Sequence, residues 1–323
     1  KSYFTTFILR VVYNCFCIIK RSVLMKIKID NFDNKPILYS ATFLVILIWS
    51  ITFISTKTLL KYFAPFEIIF FRYVIAYLVF WIIDPHPIMP KNFRDELRFI
   101  ACGLFGVSIN FMLENTALMY STAANVSLIV SAAPMLTGIV AHFLIKEKLT
   151  PKFLIGCLLA TSGVFLIVFN GRFILKLNPL GDLLAIFAAL SFSIFSVTLK
   201  GIDSSYKATH ITRKSFFYAL LSLFPFLFTP LFKWKPSVFL IPEVYGHLLF
   251  LGLFASALCF LLWNQVIRKL GPVKANNFIY FSPILTMIFA AIILDEKITI
   301  YAIGGGFLIL MGVYITQHQK LFN

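Results

Sequence analysis

The third apolar stretch of the chain carries three side chains that could do chemistry, Asn110, Glu114 and Asn115. Asn110 and Glu114 are four residues apart, so a helix would place them on one face. Charged groups inside a long apolar run are costly, and they commonly mark a binding site or an ion path. Glu114 could therefore pair with a substrate ammonium or bind and release a proton. The alternative is a structural ion pair with Arg72, which lies in the preceding stretch.

Arg72 is seven residues past Pro65 in the second apolar stretch. A long basic side chain there can reach the outer headgroups of a membrane, so an anchoring or structural role is the first expectation for it. Pro134 and Pro283 fall within later apolar stretches, where proline removes a helical hydrogen bond. They predict kinks, static or used for gating. His142, near the end of its stretch, could sense pH, but a satisfied core histidine is the plainer interpretation.

Aromatic residues are abundant, with 38 Phe, 13 Tyr and 4 Trp. Most of them are expected to pack in the core or face lipid. An aromatic wall with a few polar groups would suit an apolar or aromatic amino acid as ligand. The predicted substrate-binding residues are Trp49, Thr52, Asn110, Glu114, Asn115, Trp263, Asn264 and Tyr280. For each aromatic residue singly, interfacial or core packing remains the competing interpretation.

The motifs of metal, redox and nucleotide chemistry are missing from the sequence. The five cysteines and five histidines are scattered, and no CxxC or HExxH spacing occurs. There is no GxxxxGK[ST] phosphate-binding loop, which excludes direct use of ATP by this chain. No clustered nucleophile and base is evident. We therefore expect no metal, no cofactor and no enzymatic activity.

These side chains must be positioned by membrane-spanning helices. The chain of 323 residues is 60% apolar and only 13% charged, too apolar for a soluble protein of this size. A spanning helix needs about 20 mostly apolar residues, and ten stretches qualify. These predicted spans are residues 37–57, 65–83, 97–119, 122–145, 151–170, 179–199, 212–232, 244–266, 273–294 and 298–317.

The net charge of +16 is concentrated in alternate connections between the spans. Cytoplasmic loops carry an excess of Lys and Arg, so both termini are expected to lie in the cytoplasm. The membrane is expected to be the inner membrane of the cell. A basic chain can also bind nucleic acid, but loop charge explains the excess here, and no nucleic acid partner is expected. Residues 1–36 form an N-terminal extension, within which Met25 is the expected true start.

A repeat organises the spans. The segment SAAPMLTGIVAHFLIKEKLT at 131–150 recurs as YFSPILTMIFAAIILDEKIT at 280–299, and GLFGVSINFMLEN at 103–115 recurs as GLFASALCFLLWN at 252–264. Equivalent spans are five apart, and since five is odd, the two halves would sit upside down relative to each other. The predicted fold is all-α and integral to the membrane, with ten transmembrane helices as two inverted five-helix repeats. Such inverted repeats are typical of transporters that work by alternating access.

The chain resembles the EamA family of the drug/metabolite transporter superfamily over about residues 37–317. The resemblance rests on IWSITFISTK at 48–57, PFEIIFFRY at 65–73, LLWNQVIRKLG at 262–271 and the two Pro-to-Gly blocks. It implies repeats over 37–171 and 178–317, and a bacterial inner-membrane exporter of amino acids or related small metabolites. The partners would be a small-molecule substrate, the lipid bilayer and, in some members, a second copy. A flippase for a lipid-linked sugar is the alternative, and a membrane-embedded enzyme a more distant one.

Overall fold

A computed structural model of the chain describes residues 35–121, 123–169, 178–230, 232–233, 236–285, 288 and 300–317. Helices account for nearly all of this part, and no strand occurs in it. The predicted N-terminal extension lies almost wholly outside the described residues. In chain order the helices are α1 Lys35–Leu59, α2 Pro65–Ile83, α3 Phe93–Tyr120, α4 in two pieces Ala123–Val130 and Ala133–Ile145, α5 Pro151–Phe169, α6 Pro179–Lys200, α7 Ala208–Leu223, α8 Pro242–Leu270, α9 Pro272–Asn277 and α10 Ile300–Gln317.

Seven helices in the described part of the chain are long and apolar enough to cross a membrane. They correspond to the first, second, third, fourth, sixth, seventh and eighth predicted spans. Two shorter apolar helices, Pro151–Ile167 and Ile303–Thr316, match the fifth and tenth. Of the ninth predicted span, 273–294, the structure describes residues 273–285 and 288, and the remainder lies outside the described residues. The chain is therefore a multi-pass membrane protein, and the count of ten spans stays a prediction.

Local sequence explains where the helices begin. Helices α2, α5, α6, α8 and α9 each begin at a proline, whose fixed φ and missing N–H suit the first helical position. Asn92 and Asn178 precede α3 and α6, and their side chains accept hydrogen bonds from Asp95 N and Gly181 N. At α2 the Glu67 carboxylate accepts from Ala64 N at 2.7 Å.

The two prolines predicted to interrupt their spans each follow an irregularity of the helix. Helix α4 is interrupted at Ser131 and Ala132, and Pro134 is the second residue of its second piece. Pro283 is likewise the second residue of a helical run at 282–285. In a first turn the missing N–H costs no hydrogen bond. The interruption of α4 just before Pro134 agrees with the break that this proline predicts within the span, while a role in gating stays a prediction.

Helices α5 and α10, which are equivalent in the repeat, pack directly on each other through glycines. Gly156 faces Gly312, and Gly163 faces Gly305. A Cβ on any of the four would lie under 3.0 Å from the facing backbone, so only glycine permits this approach. Residue numbers rise along α5 as they fall along α10, so the two helices are antiparallel. Gly156 and Gly163 correspond to Gly305 and Gly312 in the repeat. Exchanging the two halves therefore converts the Gly156–Gly312 pair into the Gly305–Gly163 pair.

Other contacts between the two halves also occur twice, once with each half in either role. Gly103 of α3 packs against α7, and its counterpart Gly252 of α8 packs against α2. Ser50 of α1 hydrogen bonds with Ser282, their Oγ atoms 2.9 Å apart. In the second half, Ser193 of α6 donates to Ala133 O at 3.1 Å. Residues 133 and 282 are equivalent in the repeat, and Ser193 is 143 positions after Ser50, the same spacing as between Lys57 and Lys200 at the ends of α1 and α6. The two halves therefore hold each other through matched pairs of contacts.

A π-helical segment occurs in both α3 and α8, at Leu104–Ser108 and Phe250–Leu258. When the two halves are aligned by the repeat, Leu104–Ser108 falls within the stretch Phe250–Leu258. A π-turn disturbs the regular ladder, and such turns often lie at functional sites. A backbone carbonyl in each segment accepts a hydrogen bond from the first helix of the other half. Ser191 Oγ donates to Phe105 O at 2.7 Å, and Trp49 Nε1 donates to Ala255 O at 3.1 Å.

Candidate functional site

An aromatic cluster lies where α1, α6 and α8 meet. The ring of Trp49 is 5.0 Å from that of Trp263, 5.8 Å from that of Phe192 and 5.9 Å from that of Phe260, measured between centroids. Trp49 is held by its hydrogen bond to the α8 π-segment. Trp263 is fully buried, and its indole N–H has no acceptor in the described part of the structure. A buried indole donor usually finds a partner, so this one marks a place where a ligand could accept.

Glu114 occupies the position in α3 that Trp263 occupies in α8. It lies within electrostatic reach of Arg72, but the two form no ion pair within 4.0 Å. Among the described residues Glu114 also has no hydrogen-bond partner. The structural interpretation, in which Glu114 and Arg72 lock two helices as a salt bridge, is therefore not what the structure shows.

Arg72 is buried rather than extended toward the headgroups, with 1% of its surface exposed. Its Nε donates to Ser256 Oγ at 2.9 Å, within the π-segment of α8. The guanidinium carbon lies 4.4 Å from the ring centroid of Phe111, a cation–π contact. The expectation of a headgroup anchor is thus wrong, and Arg72 instead places a cation in the protein interior.

Asn115 and its repeat counterpart Asn264 serve the packing of neighbouring helices. Asn115 Nδ2 donates to Pro65 O, at the start of α2, over 3.4 Å. Asn264 Nδ2 donates to Thr212 Oγ1, in the first turns of α7, over 2.7 Å. Each asparagine is buried, and each Oδ1 is without a partner among the described residues. Their predicted contact with substrate stays a prediction, and the two unpartnered oxygens would be acceptors for it.

The remaining predicted site residues lie at different distances from this cluster. Asn110 is buried one turn before Glu114. Thr52 is next to Trp49 on α1, but its hydroxyl donates to Trp49 O at 2.7 Å. Tyr280 packs with residues of α5 and α10, and its hydroxyl is 3.3 Å from Thr161 Oγ1. The structure thus brings Trp49, Thr52 and Trp263 together and places Tyr280 against the α5–α10 pair.

His142 is exposed at the end of α4, where its Nδ1 lies 2.9 Å from Glu147 O. A core position was expected and is wrong, because α4 ends three residues later at Ile145, and the next residue, Lys146, has a left-handed φ of 56°. The turn brings the Glu147 carbonyl back to the imidazole. Glu147 itself is partly buried, and this burial raises the pKa of its carboxyl, against the opposing effect of Lys200 and Lys274.

A polar network that sequence reasoning missed joins α4, α6 and α9. Asn276 Nδ2 donates to Thr137 Oγ1 at 2.6 Å and to Ser196 Oγ at 3.1 Å. Thr137 Oγ1 in turn donates to Ser193 Oγ at 3.0 Å. All four residues are buried. Only a search for hydroxyl and amide residues on facing spans could have suggested this network from the sequence.

On the side predicted to be cytoplasmic, two histidines surround Asp84 at the end of α2. His210 Nε2 lies 2.8 Å from Asp84 Oδ2, and His86 Nδ1 lies 3.0 Å from Asp84 Oδ1. Partial burial acts to raise the pKa of Asp84, but the hydrogen bonds of His86 and His210 outweigh it and bring that pKa down to about 2. The contact ties the loop after α2 to the start of α7.

Comparison with known proteins gives consistent results. The sequence model of the EamA-like transporter family matches residues 36–169 and again residues 179–317. An uncharacterized transporter of Archaeoglobus fulgidus is 28% identical over 283 residues, covering 85% of this chain and 96% of the relative. The uncharacterized transporter YyaM of Bacillus subtilis is 28% identical over 271 residues, 81% of this chain and 87% of that protein. A solved crystal structure shares the fold at a TM-score of 0.67 and 19% identity, over 87% of this chain and 96% of the other.

Proposed function

The chain belongs to the EamA-like transporter family and is a membrane transporter, and from this premise we propose that it exports amino acids by alternating access. The observation that carries the proposal is the pair of opposite interior charges, Arg72 and Glu114, which are near each other but not joined. A free amino acid presents an ammonium and a carboxylate on one carbon. Glu114 would take the ammonium and Arg72 the carboxylate.

The aromatic cluster supports an apolar or aromatic side chain on the substrate. Trp49, Phe192 and Trp263 offer flat apolar surfaces to such a side chain. Apolar pockets with a few polar groups are typical of small-molecule sites. The unpartnered indole N–H of Trp263 would add one hydrogen bond to the bound ligand.

The exchanged contacts between the halves support alternating access. If the repeats are inverted, each conformation has a mirror in which the halves swap roles, and the site then opens to the other side. Matched pairs such as Ser50–Ser282 and Ser193–Ala133 are what two interchangeable halves need, since each arrangement must be about equally stable. The antiparallel pair α5–α10 would be the fixed frame.

Efflux from proteoliposomes loaded with all amino acids tests the proposal, with mass spectrometry as readout and protein-free vesicles as control. We expect selective loss of a few apolar or aromatic amino acids. Glu114→Gln should slow that efflux by about tenfold or more, since one buried charge-assisted hydrogen bond is worth about 1.5–3 kcal/mol. The matched control Glu147→Gln, in a loop, should transport at nearly the unmodified rate.

Two results would contradict this assignment. Retention of every amino acid by folded protein would remove the amino-acid proposal and bring lipid-linked sugars forward. Equal rates for Glu114→Gln and the unmodified protein would show that the carboxylate does not contact the substrate.

A further inference from the structure

A cavity that shares no lining residue with the aromatic cluster lies at the start of α7. Its volume is about 400 Å³, and it is lined on one side by the loop 204–207 and on the other by the end of α8. Three cations line it, Lys207, Arg268 and Lys269. Asp203, the carboxylate just before the loop, does not line it and is engaged with Ser205 N at 2.7 Å and with Lys91 Nζ at 4.0 Å. The cavity therefore presents positive charge.

The N-terminus of α7 opens onto the same cavity. The helix begins at Ala208, which lines it, and no side chain caps it. Among the described residues no acceptor is seen for the backbone N–H groups of Ala208, Thr209 and His210. Free N–H groups at the positive end of a helix dipole form a ready anion site.

A buried amide provides an independent indication of a ligand. Gln265 lines the cavity from α8 and is 6% exposed, yet its Nε2 has no hydrogen-bond partner in the described part of the protein. A buried amide left unpaired costs free energy, and native proteins rarely leave one so without a water or ligand. Arg268, one helical turn further on, is held in place because its guanidinium donates to Tyr206 O at 2.7 Å. Two donors from α8 thus meet the α7 N-terminus.

From this arrangement we propose that the cavity between the α7 N-terminus and the end of α8 binds a phosphate group. Lys207 and the first N–H groups of α7 would contact its oxygens from one side, and Gln265 with the cations of α8 from the other. A phosphate carries several acceptor oxygens on one centre, which matches donors converging from two helices. The chemistry is shared by a soluble phosphorylated metabolite and by the headgroup of an anionic lipid. The site is independent of the transport site.

The test uses the full chain in nanodiscs of phosphatidylcholine. Equilibrium dialysis with radiolabelled inorganic phosphate measures the soluble ligand. Thermal unfolding in nanodiscs with and without phosphatidylglycerol measures the headgroup. Lys207 is exposed, so Lys207→Gln should fold, and Gln265→Leu provides a second, independent variant. Lys152→Gln, an exposed lysine outside the cavity, is the matched control.

We expect Lys207→Gln and Gln265→Leu to weaken phosphate binding, or to abolish the stabilisation by phosphatidylglycerol, while Lys152→Gln does neither. A loss of affinity of about tenfold corresponds to one charge-assisted hydrogen bond. Binding of free phosphate would identify a soluble ligand, and a response to the lipid alone would identify a headgroup. Absence of both responses, or equal effects of Lys207→Gln and Lys152→Gln, would overturn the proposal.

Discussion

The interior position of Arg72 costs free energy that its surroundings only partly offset. A guanidinium is expensive to remove from water unless hydrogen bonds and charge compensate it. Here the hydroxyl of Ser256 and the rings of Phe111 and Tyr73 supply the compensation, with cation–π distances of 4.4 and 5.2 Å. Because no carboxylate pairs directly with Arg72 among the described residues, the cation keeps the capacity to bind an anion. Proteins retain such a cost at sites of function.

Asp84 gives a prediction about pH at the scale of one residue. Its pKa in the folded protein is about 2, below the ordinary value of 3.8. A lowered pKa contributes stability above the ordinary value, and this contribution is lost as the pH falls from about 4 to 2. We expect Asp84→Asn to lower the free energy of unfolding at pH 6 by about 1–2 kcal/mol, and by only about 0.4 kcal/mol at pH 2, where the carboxyl is half protonated in the folded protein.

Thermal unfolding of both proteins in nanodiscs at the two pH values checks this expectation. Asp203→Asn, at an exposed loop carboxylate, is the control and should change stability little at either pH. An equal loss for Asp84→Asn at pH 6 and pH 2 would mean that the histidine contacts do not stabilise the fold through charge.

Part of this residue-scale chemistry could be predicted from the sequence. A carboxylate in an apolar stretch is visible by composition alone, so Glu114 and its approach to Arg72 could be anticipated. The partner of Arg72 could not, because Ser256 is 184 positions away and only the fold brings them together. Asn115 and Asn264 were recognised as equivalent, but their bonds to α2 and α7 depend on how the helices cross. Phe192 and Phe260 could not be told apart from the many other phenylalanines.

At the scale of elements, the glycines of α5 and α10 divide into two sets. Gly163 faces Gly305 at backbone contact, whereas Gly304 has no atom within 4 Å of where a Cβ would lie. We expect Gly163→Leu to destabilise the protein by about 1–3 kcal/mol or more, because the added side chain must separate the two helices. Gly304→Leu should leave the unfolding temperature close to that of the unmodified protein. Both temperatures can be measured in the same detergent.

The comparison distinguishes helix packing from helix propensity. Both substitutions replace glycine by a better helix former in a helix, so propensity alone would stabilise both variants similarly. Similar unfolding temperatures for the two variants would therefore show that α5 and α10 are not in close contact. The sequence repeat shows which glycines of α5 and α10 are equivalent. Which glycines face the neighbouring helix depends on how α5 and α10 cross.

Helix ends and helix irregularities differ in how far the sequence reveals them. Starts were predictable, since proline or asparagine marks most of them. The interruption before Pro134 was also predictable from the proline, but its form, two helical pieces separated by residues 131 and 132, was not. The π-segments carry no such mark. Ser191 and Trp49 donate hydrogen bonds to carbonyls of these segments from other helices, and such contacts between distant parts of the chain cannot be read from the sequence.

At the scale of the whole molecule, the orientation of the two halves can be measured directly. The loops after α1 and α6 are equivalent, and Lys61 and Ser204 are exposed in them. If the repeats are inverted, these loops lie on opposite sides of the membrane, Lys61 outside and Ser204 in the cytoplasm. We expect Lys61→Cys, in a background without native cysteines, to react with a membrane-impermeant maleimide on intact cells. Ser204→Cys should react only after the membrane is permeabilised.

The outcome decides more than topology, because the transport mechanism depends on it. Opposite labelling would mean that the exchanged contacts, Ser50–Ser282 and Ser193–Ala133, lie at related depths on opposite sides of the membrane centre. Opening one side would then break one contact of each such pair while its counterpart holds, as alternating access requires. Labelling of both cysteines from the same side would make the repeats parallel. The halves could then not exchange an inward-open for an outward-open state by symmetry, and the proposed transport cycle would have to be abandoned.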